Sequence, residues 1–390
     1  MRTRRILAAA IGATILLVGA ACSSNDGSSD ASSSDDSSSS SEAPGKDSPA
    51  VGFIMVGPKD DFGYNQAVYE GAMAVEEAYP DIEVLTAENV PETDEAARVM
   101  EGMIDKGAKI LFATSYGHLD AALSVAEEHP DVVVVHQGGF VEGEIPPNFG
   151  TYFGTVYEPV YLAGILAGAA TETNKLGYVY AFPIPQTIAN INAFQLGAAS
   201  VNPDAETYVV NTSNWCDPAA QAQAASSLLG QDVDVLTQHQ DCTATITKAA
   251  EDAGAYVVGY HADASELAPE GWLGGSEWDW DELYIDIVEV SEAGDFTGSE
   301  YNANYRVGYK DGANPFIQSE FGPSVTDETK AEVAAALERI STTGSPFEGP
   351  IMANDGTTVL FEDGEIGEYD TAEGKNSMFV EGVVGEIPES

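Results

Sequence analysis

Basic residues are scarce in this chain, and their scarcity excludes several classes of function. Fifteen Lys and Arg residues stand against 64 Asp and Glu residues in a chain of 390, which gives a formal net charge of -49. A nucleic-acid-binding protein needs a basic surface to neutralise phosphate, and docking on anionic lipid needs a basic patch. We therefore predict no nucleic-acid partner. A charge of this size is easiest to reconcile with a salty medium, in which screening is strong.

The N-terminal apolar run is too short for a typical membrane span. Ile6 to Ala21 gives 16 residues, whereas a span needs about 20. Three Arg residues precede the run and Cys22 follows it, which is typical of a secretory signal peptide. Leu17 to Cys22 resembles a bacterial lipobox, with Gly19 where Leu is usual. We expect residues 1–21 to be a lipoprotein signal peptide and Cys22 to carry a lipid on the extracytoplasmic face of the cell membrane. The alternative is a secreted protein in which Cys22 is unmodified.

The segment after the signal contains too few apolar residues to bury a core. Residues 22–49 are mostly Ser and Asp, which predicts a disordered tether. Signal and tether together hold three Arg, Lys46 and six acids, so residues 50–390 keep 11 cations and 58 acids, a net charge of -47. The acidity therefore belongs to the body of the chain.

Cysteine is rare as well, with three residues in the whole chain. If Cys22 is the anchor, Cys216 and Cys242 remain, and each follows a predicted strand. An exported protein permits a disulfide between them. Two unrelated thiols are the alternative, because the sequence gives no distance between the residues.

The body alternates short apolar runs with helical stripes, in two similar halves. The first half predicts strands at 50–56, 82–85, 110–113 and 132–135, with helices at 65–79, 95–104 and 119–128. The second predicts helices and strands in turn at 158–170, 177–181, 188–199, 208–211, 219–229, 233–236, 245–253 and 256–259. Within the first of these helices, Gly164 and Gly168 share a face that should allow close packing. Continuous apolar strands are typical of parallel sheets covered on both faces.

The alternation predicts an α/β protein with two doubly wound lobes. We place the N-terminal lobe at 50–155 and the C-terminal lobe at 156–275. Residues 276–390 should return to both lobes and to the hinge, with helices near 282–293 and 329–340 and a hairpin turning at Asp363-Gly364.

The loops after the predicted strands carry the candidate binding residues. In open parallel sheets, ligands bind beyond the carboxyl ends of the strands, here in a cleft between the lobes. Aromatics, carboxamides, carboxylates and imidazoles concentrate in these loops, whereas Lys59 is the one cation close by. Such side chains suit a planar, polar, uncharged heterocycle. The candidates are Tyr64, Asn65, Tyr116, Gln137, Phe182, Trp215, Gln238, Asp241, His261, Asp263 and Trp278.

Several of these residues have a purely structural alternative. Tyr64 could pack under the first helix, and Phe182 could belong to the core. Asp217 is better explained as the N-cap of a helix with Pro218 at its first position. Trp278 and Trp280 alternate in the sequence, so at most one of them should face a ligand.

Catalytic and cofactor motifs are missing. The chain has no G-x-S-x-G elbow, no P-loop, and no G-x-G-x-x-G after the first strand. His239-Gln240-Asp241 and His261-Ala262-Asp263 could offer metal ligands, but pairs of this kind are more typical of hydrogen-bonding loops. We predict no enzyme activity, no cofactor and no metal.

Several strings together resemble one family, the basic membrane proteins, which are purine-nucleoside-receptor-like substrate-binding lipoproteins of ABC transporters. The resemblance covers most of residues 50–280. Its strings are Val51-Gly52-Phe53, Tyr64-Asn65-Gln66, Tyr69-Glu70-Gly71, Asn148 to Phe153, Glu158 to Gly164, Gly177-Tyr178-Val179, Phe182 to Pro185, Ile191 to Phe194, Leu236 to His239 and Gly259 to Asp263.

The resemblance implies a type I periplasmic-binding-protein fold that closes on a purine base or nucleoside. It implies that Tyr64 and Asn65 meet the base and that Asp263 holds a ribose. The Phe-Pro-Ile-Pro and Gln-His loops are similar to members that take purine bases without sugar. The chain departs from the family at Cys216 and Cys242, and its first loop lacks the usual Asp-Lys-Ser run.

The partners that the resemblance implies are an ABC permease and its ATPase, served by a monomeric receptor. Three alternatives stay open. They are a signalling co-receptor of the same fold, a binding protein for another small neutral solute, and a purine-processing hydrolase.

Overall fold

The computed structural model describes residues 42–368 and 374–388. The predicted signal peptide, Cys22 and residues 22–41 of the expected tether lie outside them. Residues 42–49 were expected in the tether, but they pack on the body instead. The N–H of Gly45 donates to the carbonyl oxygen of Asp131 at 3.0 Å, and the N–H of Ser48 donates to Glu292 at 2.6 Å. In the described residues, no helix combines the length and the apolar character that crossing a membrane requires.

The N-terminal lobe begins as regular strand–helix alternation, as the apolar runs predict. Its elements are β1 (Ala50–Ile54), α1 (Tyr64–Ala78), β2 (Glu83–Ala87), α2 (Glu95–Ile104), β3 (Ala108–Ala113), α3 (Leu119–Glu128), β4 (Val133–Gln137) and β5 (Phe149–Gly154). The strands pair in parallel in the order β5-β4-β3-β1-β2. Helices cover the buried strands on both faces, which explains why the strands are apolar throughout.

The C-terminal lobe repeats the same design. Its elements are α4 (Tyr157–Ala170), β6 (Lys175–Tyr180), α5 (Pro185–Val201), β7 (Glu206–Asn211), α6 (Pro218–Leu229), β8 (Val235–His239), α7 (Ala244–Ala253), β9 (Tyr256–His261) and β10 (Trp272–Trp278). Its strands run in the order β10-β9-β8-β6-β7, which matches the first lobe strand for strand. The predicted α/β class with two doubly wound parallel-sheet lobes is confirmed.

The remainder of the chain returns to both sheets. Its elements are α8 (Asp281–Ala293), β11 (Asn304–Val307), β12 (Phe316–Gln318), α9 (Asp327–Thr343), β13 (Ile351–Met352), β14 (Val359–Phe361) and β15 (Val383–Val384). Strand β11 joins β5 in the first sheet, whereas β12 and β15 extend the two edges of the second. The chain therefore crosses between the lobes after β5, after β10 and between β11 and β12.

The hairpin near the C-terminus turns earlier than the sequence suggests. Strands β13 and β14 pair antiparallel, and residues 353–358 join them. Asp355 stabilises that turn by accepting hydrogen bonds from the N–H groups of Thr357 and Thr358, both at 2.8 Å. Asp363-Gly364 forms a separate turn, with Gly364 at a φ of 78°.

Helices α4 and α5 approach closely, as the spacing of Gly164 and Gly168 predicts. A Cβ at Gly164 would lie 2.1 Å from the carbonyl oxygen of Phe194, and one at Gly168 would lie 2.5 Å from that of Ala198. Only hydrogen fits at these two positions, so the glycines set the distance between the helices. Asp217 is the N-cap of α6, as predicted, because its carboxylate accepts from the N–H groups of Ala219 and Ala220.

Candidate ligand-binding site

A cavity lies between the two lobes, and each lobe contributes six residues to its wall. The space between the lining atoms, including the mouth, is about 460 Å³. The volume free for a ligand in this closed arrangement is only about 40 Å³, below the ~300–1,000 Å³ of small-molecule sites, so the lobes have to part to admit a ligand of that class. The lining residues are Tyr64, Ser115, Tyr116, Gln137, Gly138 and Phe153 from the first lobe, and Ile184, Gln186, Trp215, His239, Asp241 and His261 from the second.

The topology explains why these residues meet. Gln137, His239 and His261 are the last residues of β4, β8 and β9, and other lining residues follow the ends of β1, β3, β6 and β7. Because the strands of each lobe are parallel, their carboxyl ends share one edge of the sheet. These two edges face each other across the cleft. The cavity therefore lies beyond the carboxyl ends of the strands, where ligands bind in open parallel sheets.

Six of the eleven candidate residues line the cavity. They are Tyr64, Tyr116, Gln137, Trp215, Asp241 and His261. Tyr64 and His261 lie on opposite lobes and make an edge-to-face contact, with ring centroids 5.0 Å apart. Tyr116 is 57% exposed and so stands at the mouth.

Asn65 and Asp263 lie off the cavity wall, and each has a structural partner. Asn65 is buried beside the first loop, where its Oδ1 accepts from the N–H of Gly57 at 3.0 Å and its Nδ2 donates to Asp61 at 2.7 Å. Asp263 is exposed, and its carboxylate accepts from the N–H of Ser265 at 2.8 Å. Both side chains are thus used to shape loops.

Phe182, Gln238 and Trp278 stand behind the wall. Phe182 packs edge-to-face on Trp215, with ring centroids 5.1 Å apart. Gln238 points away from the cavity because it alternates with His239 on β8, and its Nε2 donates to the carbonyl oxygen of Thr243 at 3.0 Å. Trp278 ends strand β10 rather than lying in a loop, and it stacks on Trp280 with centroids 4.3 Å apart.

Sequence reasoning missed six residues of the wall: Ser115, Gly138, Phe153, Ile184, Gln186 and His239. Ser115, Gly138, Ile184 and His239 fall in loops that the strand pattern had marked as cleft loops, so a wider selection would have included them. Phe153 lies on β5, which the apolar pattern did not predict as a strand. Gln186 lies in the first turn of α5, which begins earlier than its apolar stripe.

Two tyrosines fix the orientation of the Gln137 side chain. Its Oε1 accepts from the hydroxyl of Tyr152 at 3.0 Å and from that of Tyr284 at 2.8 Å. Its Nε2 is buried and makes no well-aligned hydrogen bond in the described structure, although the hydroxyl of Tyr64 lies nearby. Gln137 therefore presents an unused N–H donor at the cavity wall.

Trp278 fixes the tautomer of His261. The indole N–H of Trp278 donates to Nδ1 of His261 at 2.9 Å, so Nδ1 carries no proton and the proton of the neutral ring is on Nε2. That Nε2 is buried and has no partner in the described structure. His261 also has a φ of 75°, a left-handed backbone that is unusual for a residue other than glycine. The ring is thus held as a second unused N–H donor.

The histidines of the site are uncharged near neutral pH. Burial lowers the pKa of His239 to about 3, and it lowers the pKa of His261 well below its usual value. His136, one residue behind Gln137, also has its pKa lowered to about 3 by burial. Its Nε2 lies 2.7 Å from the carbonyl oxygen of Ser115, and its Nδ1 accepts from the N–H of Gly139 at 3.0 Å. His136 therefore holds two cavity loops together without contributing charge.

Asp241 is the one carboxylate of the cavity wall. It is 8% exposed, and burial raises its pKa well above the usual value, with further contributions from Asp61 and Glu92. Lys59 does not line the cavity and pairs with Glu88 at 3.8 Å. The wall thus contains two neutral histidines and a strongly perturbed carboxyl group, with no Lys or Arg.

Direct contacts between the lobes close the cleft beside Asp241. We name the segments 61–64 and 241–243 the latch. The N–H of Tyr64 donates to the carbonyl oxygen of Asp241 at 3.0 Å, and the N–H of Thr243 donates to that of Asp61 at 3.2 Å. The hydroxyl of Thr243 also donates to the carbonyl oxygen of Phe62.

A disulfide supports the second half of the latch. Cys216 and Cys242 are bonded, with their Cα atoms 5.2 Å apart. The N–H of Asp241 donates to the carbonyl oxygen of Trp215 at 2.9 Å. The two cavity residues Trp215 and Asp241 are therefore each next to a bridged cysteine.

The sequence profile of the PnrA-like substrate-binding proteins of ABC transporters, the Bmp family, matches residues 48–334. The chain belongs to this family. The resemblance to the basic membrane proteins is thereby confirmed. Substrate-binding proteins of ABC transporters act outside the cytoplasm, where they take up small solutes for the transporter.

Two relatives of this Bmp-family chain match nearly its whole length. A protein of Haloferax volcanii, named as an ABC transporter glucose-binding protein, is 35% identical over 86% of this chain and 80% of its own. A purine-binding protein of Brucella abortus is 33% identical over 87% of this chain and 94% of its own. The relatives' names therefore point to two ligand classes.

Solved structures share the fold. An ABC transporter solute-binding protein of Conexibacter woesei superimposes with a TM-score of 0.61 at 20% identity, over 76% of this chain and 97% of its own. A transcriptional activator of the comK gene from Bacillus halodurans superimposes with a TM-score of 0.64 at 24% identity, over 76% of this chain and 99% of its own. The Bmp-family chain thus has the type I periplasmic-binding-protein fold.

Proposed function

We propose that this chain is the lipid-anchored, extracytoplasmic receptor of an ABC importer, and that it captures a purine base or nucleoside by closure of its two lobes. The observation that carries the proposal is the cavity wall. Aromatic rings from both lobes surround neutral hydrogen-bonding groups, and no Lys or Arg lines the space. The purine-binding relative from Brucella abortus supports the same ligand class.

The wall suits a flat, uncharged ring. Tyr64, Tyr116, Phe153 and Trp215 offer aromatic surface, against which a planar ligand can stack with a gain beyond area burial. A phosphate or carboxylate would need Arg, Lys or a free helix N-terminus, and the lining residues offer no cationic group. Nucleotides are therefore poor candidates for the cargo.

The placement of Asp263 favours a free base over a nucleoside. The resemblance gave this residue the role of holding a ribose, but its carboxylate is exposed and bonded to the N–H of Ser265. Ribose hydroxyls would then lack that partner. We therefore expect purine bases to bind more tightly than their nucleosides.

A small neutral sugar is the second candidate. The Haloferax volcanii relative is named for glucose, and it is similar to this chain at 35% identity. Gln137, Gln186, Asp241 and His261 could pair with sugar hydroxyls, while Trp215 could pack on a sugar face. The two candidates differ in a measurable way, because a sugar offers neither an aromatic face nor a ring N–H.

A thermal-shift screen in high salt tests the proposal. Hypoxanthine, guanine, adenine, their nucleosides, GMP and glucose are added in turn to the purified chain. Ligands that bind the folded state raise the melting temperature as their concentration rises. We expect a shift with purine bases, a smaller one with nucleosides and none with GMP. A shift with glucose and with no purine would replace the purine proposal by the sugar alternative.

The absence of covalent chemistry is part of the proposal. Binding and lobe closure are the whole activity, and transport is then the work of a permease and an ATPase, to which a monomeric receptor delivers its cargo. Incubation with inosine or adenine, followed by chromatography, should return the ligand unchanged. A product that accumulates in proportion to enzyme and time would show that the chain is a hydrolase instead.

Anchoring through Cys22 is tested separately. Expression of the full chain and of a Cys22→Ser variant in a host with lipoprotein processing should give membrane-bound and released protein, respectively. Mass spectrometry of the mature N-terminus should find a lipid on Cys22 only in the first. Release of both forms would favour the secreted alternative.

A further inference from the structure

The carboxyl group of Asp241 stands unpaired in the cavity. Its main chain is fully used, because the N–H donates to Trp215 and the carbonyl oxygen accepts from Tyr64. Its side chain is 8% exposed and lines the cavity, and burial and the neighbouring acids Asp61 and Glu92, rather than hydrogen-bond donors, act on its carboxyl group. Buried carboxylates are costly unless they are hydrogen-bonded. The empty site relieves this cost by protonation, because burial raises the pKa of Asp241, whereas a ligand that brings donors into the cavity would let the carboxylate form.

The rest of the wall offers the opposite chemistry. Nε2 of Gln137 and Nε2 of His261 are N–H donors whose orientations Tyr152, Tyr284 and Trp278 fix. Neither donor makes a well-aligned hydrogen bond in the described structure. A complementary ligand thus needs acceptor atoms toward Gln137 and His261 and donor groups toward Asp241.

We propose that Asp241 is the specificity-determining residue of the site and selects a base with two adjacent N–H donors, as in the N1–H and 2-amino edge of guanine. This inference rests on the purine-binding function proposed above. Burial favours the protonated group in the empty site, and two N–H donors of a ligand would stabilise the carboxylate instead, because its two oxygens match two parallel N–H bonds. The O6 and N7 atoms of the same base are acceptors, which Gln137 and His261 can meet.

A cationic ligand fits the wall less well. Asp61 and Glu92 lie close enough to Asp241 to raise its pKa, so the local field is negative. However, a guanidinium group carries donors only and would leave Gln137 and His261 unpaired. An amino acid with such a side chain also carries a carboxylate, for which the wall has no cation. A neutral base with separate donor and acceptor edges satisfies all three groups.

The first test needs no variant. Affinities of the wild-type chain for guanine, 1-methylguanine, hypoxanthine and adenine are measured by calorimetry, with protein titrated into dilute base because guanine is sparingly soluble. Loss of a hydrogen bond to a charged group costs about 10- to 100-fold in affinity. We expect guanine to bind best, with 1-methylguanine weaker by that factor. Equal binding of guanine and 1-methylguanine would overturn the proposal.

The second test uses Asp241→Asn, which keeps the shape of the side chain. An amide keeps one acceptor for the N1–H that hypoxanthine and guanine share, but it turns an N–H donor toward the 2-amino group of guanine, which is itself a donor. We expect the preference for guanine over hypoxanthine to fall by at least about 10-fold. Retained hypoxanthine binding shows that the variant folds.

Asp263→Asn is the matched control, because it makes the same chemical change at an exposed carboxylate off the cavity wall. The preference of this variant for guanine over hypoxanthine should equal that of the wild type. If the wild type binds purines but Asp241→Asn leaves the preference unchanged, this inference fails and the proposed function stands. If the wild type binds L-arginine and no purine, both fail.

Discussion

Tyr64 and Asp241 come from different lobes, and a hydrogen bond of 3.0 Å joins the N–H of the first to the carbonyl oxygen of the second. The side chains of both residues line the cavity. The residues that would touch a ligand are thus the same residues whose main chains hold the lobes together. Ligand binding and lobe closure are coupled if the ligand stabilises this closed arrangement more than the open one.

Gly63 offers a direct way to break the latch. A Cβ at this position would lie 1.9 Å from the carbonyl oxygen of Asp241, which is backbone and cannot move aside as a flexible side chain can. The clash should destabilise the closed arrangement, so we expect Gly63→Ala to weaken affinity for the cargo by at least about 10-fold. A 10-fold loss of affinity corresponds to ~1.4 kcal/mol of binding free energy. Calorimetric titration measures the effect.

The matched control for that variant is Gly102→Ala. Gly102 lies in α2, and a Cβ there would meet no atom within 4 Å. This variant should bind as the wild type does. If Gly63→Ala binds as tightly as Gly102→Ala, the latch does not contribute to the bound state.

The disulfide should stabilise the chain and support the site. Cys216 and Cys242 are separated by 26 positions. Closing a loop of this length typically contributes about 2–4 kcal/mol. We expect the double variant C216S/C242S to lose that much in the free energy of urea unfolding. A reducing agent should bring the wild type to the same value and leave the variant unchanged. Identical unfolding curves with and without reductant would contradict the prediction.

Glu158 should make stability depend on pH. It is 1% exposed at the start of α4, where its Oε2 accepts from the N–H of Tyr309 at 2.7 Å and from Nδ2 of Asn314 at 3.0 Å. Burial raises the pKa of Glu158 to about 7, from an ordinary value of 4.5. The folded state therefore holds this proton more tightly than the unfolded state does, and stability falls as pH rises from 4.5 to 7.

Glu158→Gln removes this titration. Relative to the wild type, its free energy of unfolding should rise across that pH range, by at most about 3.5 kcal/mol at ~1.4 kcal/mol per pKa unit. Glu127→Gln, at an exposed position on α3, is the control and should follow the wild type. A difference between Glu158→Gln and the wild type that stays constant with pH would contradict the assignment.

The charge of the body predicts a strong dependence on salt. Eleven cations cannot neutralise 58 acids, so most carboxylates of residues 50–390 repel one another. Raising NaCl from about 0.1 M to about 1 M shortens the screening length from ~10 Å to ~3 Å. The free energy of unfolding should rise over this range, whereas sucrose of equal osmolality should not reproduce the full effect. A free energy of unfolding that does not change with NaCl would contradict the idea that repulsion between carboxylates limits stability.

The sequence predicted the lobes well because the buried parallel strands leave a simple pattern. Runs such as Val132 to Val135 are apolar throughout, and helix stripes separate them. Strands β5 and β10 were missed because Gly and polar residues interrupt them: Gly150 and Thr151 in the first, and Gly274 to Glu277 in the second. Their pairing comes from neighbouring strands, which a local pattern does not contain.

The site was predicted in outline for a similar reason. Strand ends locate a loop at the cleft, but they do not say which side chain of the loop points inward. Asn65 turns toward Asp61, and Asp263 turns toward the N–H of Ser265. Both outcomes depend on local hydrogen bonds that compete with a role in the cleft. The unpaired donors of Gln137 and His261 could be found only from their surroundings.

Binding of a purine base tests the central claim most directly. The measurement is calorimetric titration of hypoxanthine into the wild-type chain in high salt, repeated in the presence of excess glucose. We predict saturable binding with one base per chain and a dissociation constant that glucose leaves unchanged. No heat of binding with hypoxanthine or guanine, together with saturable binding of glucose, would contradict the account.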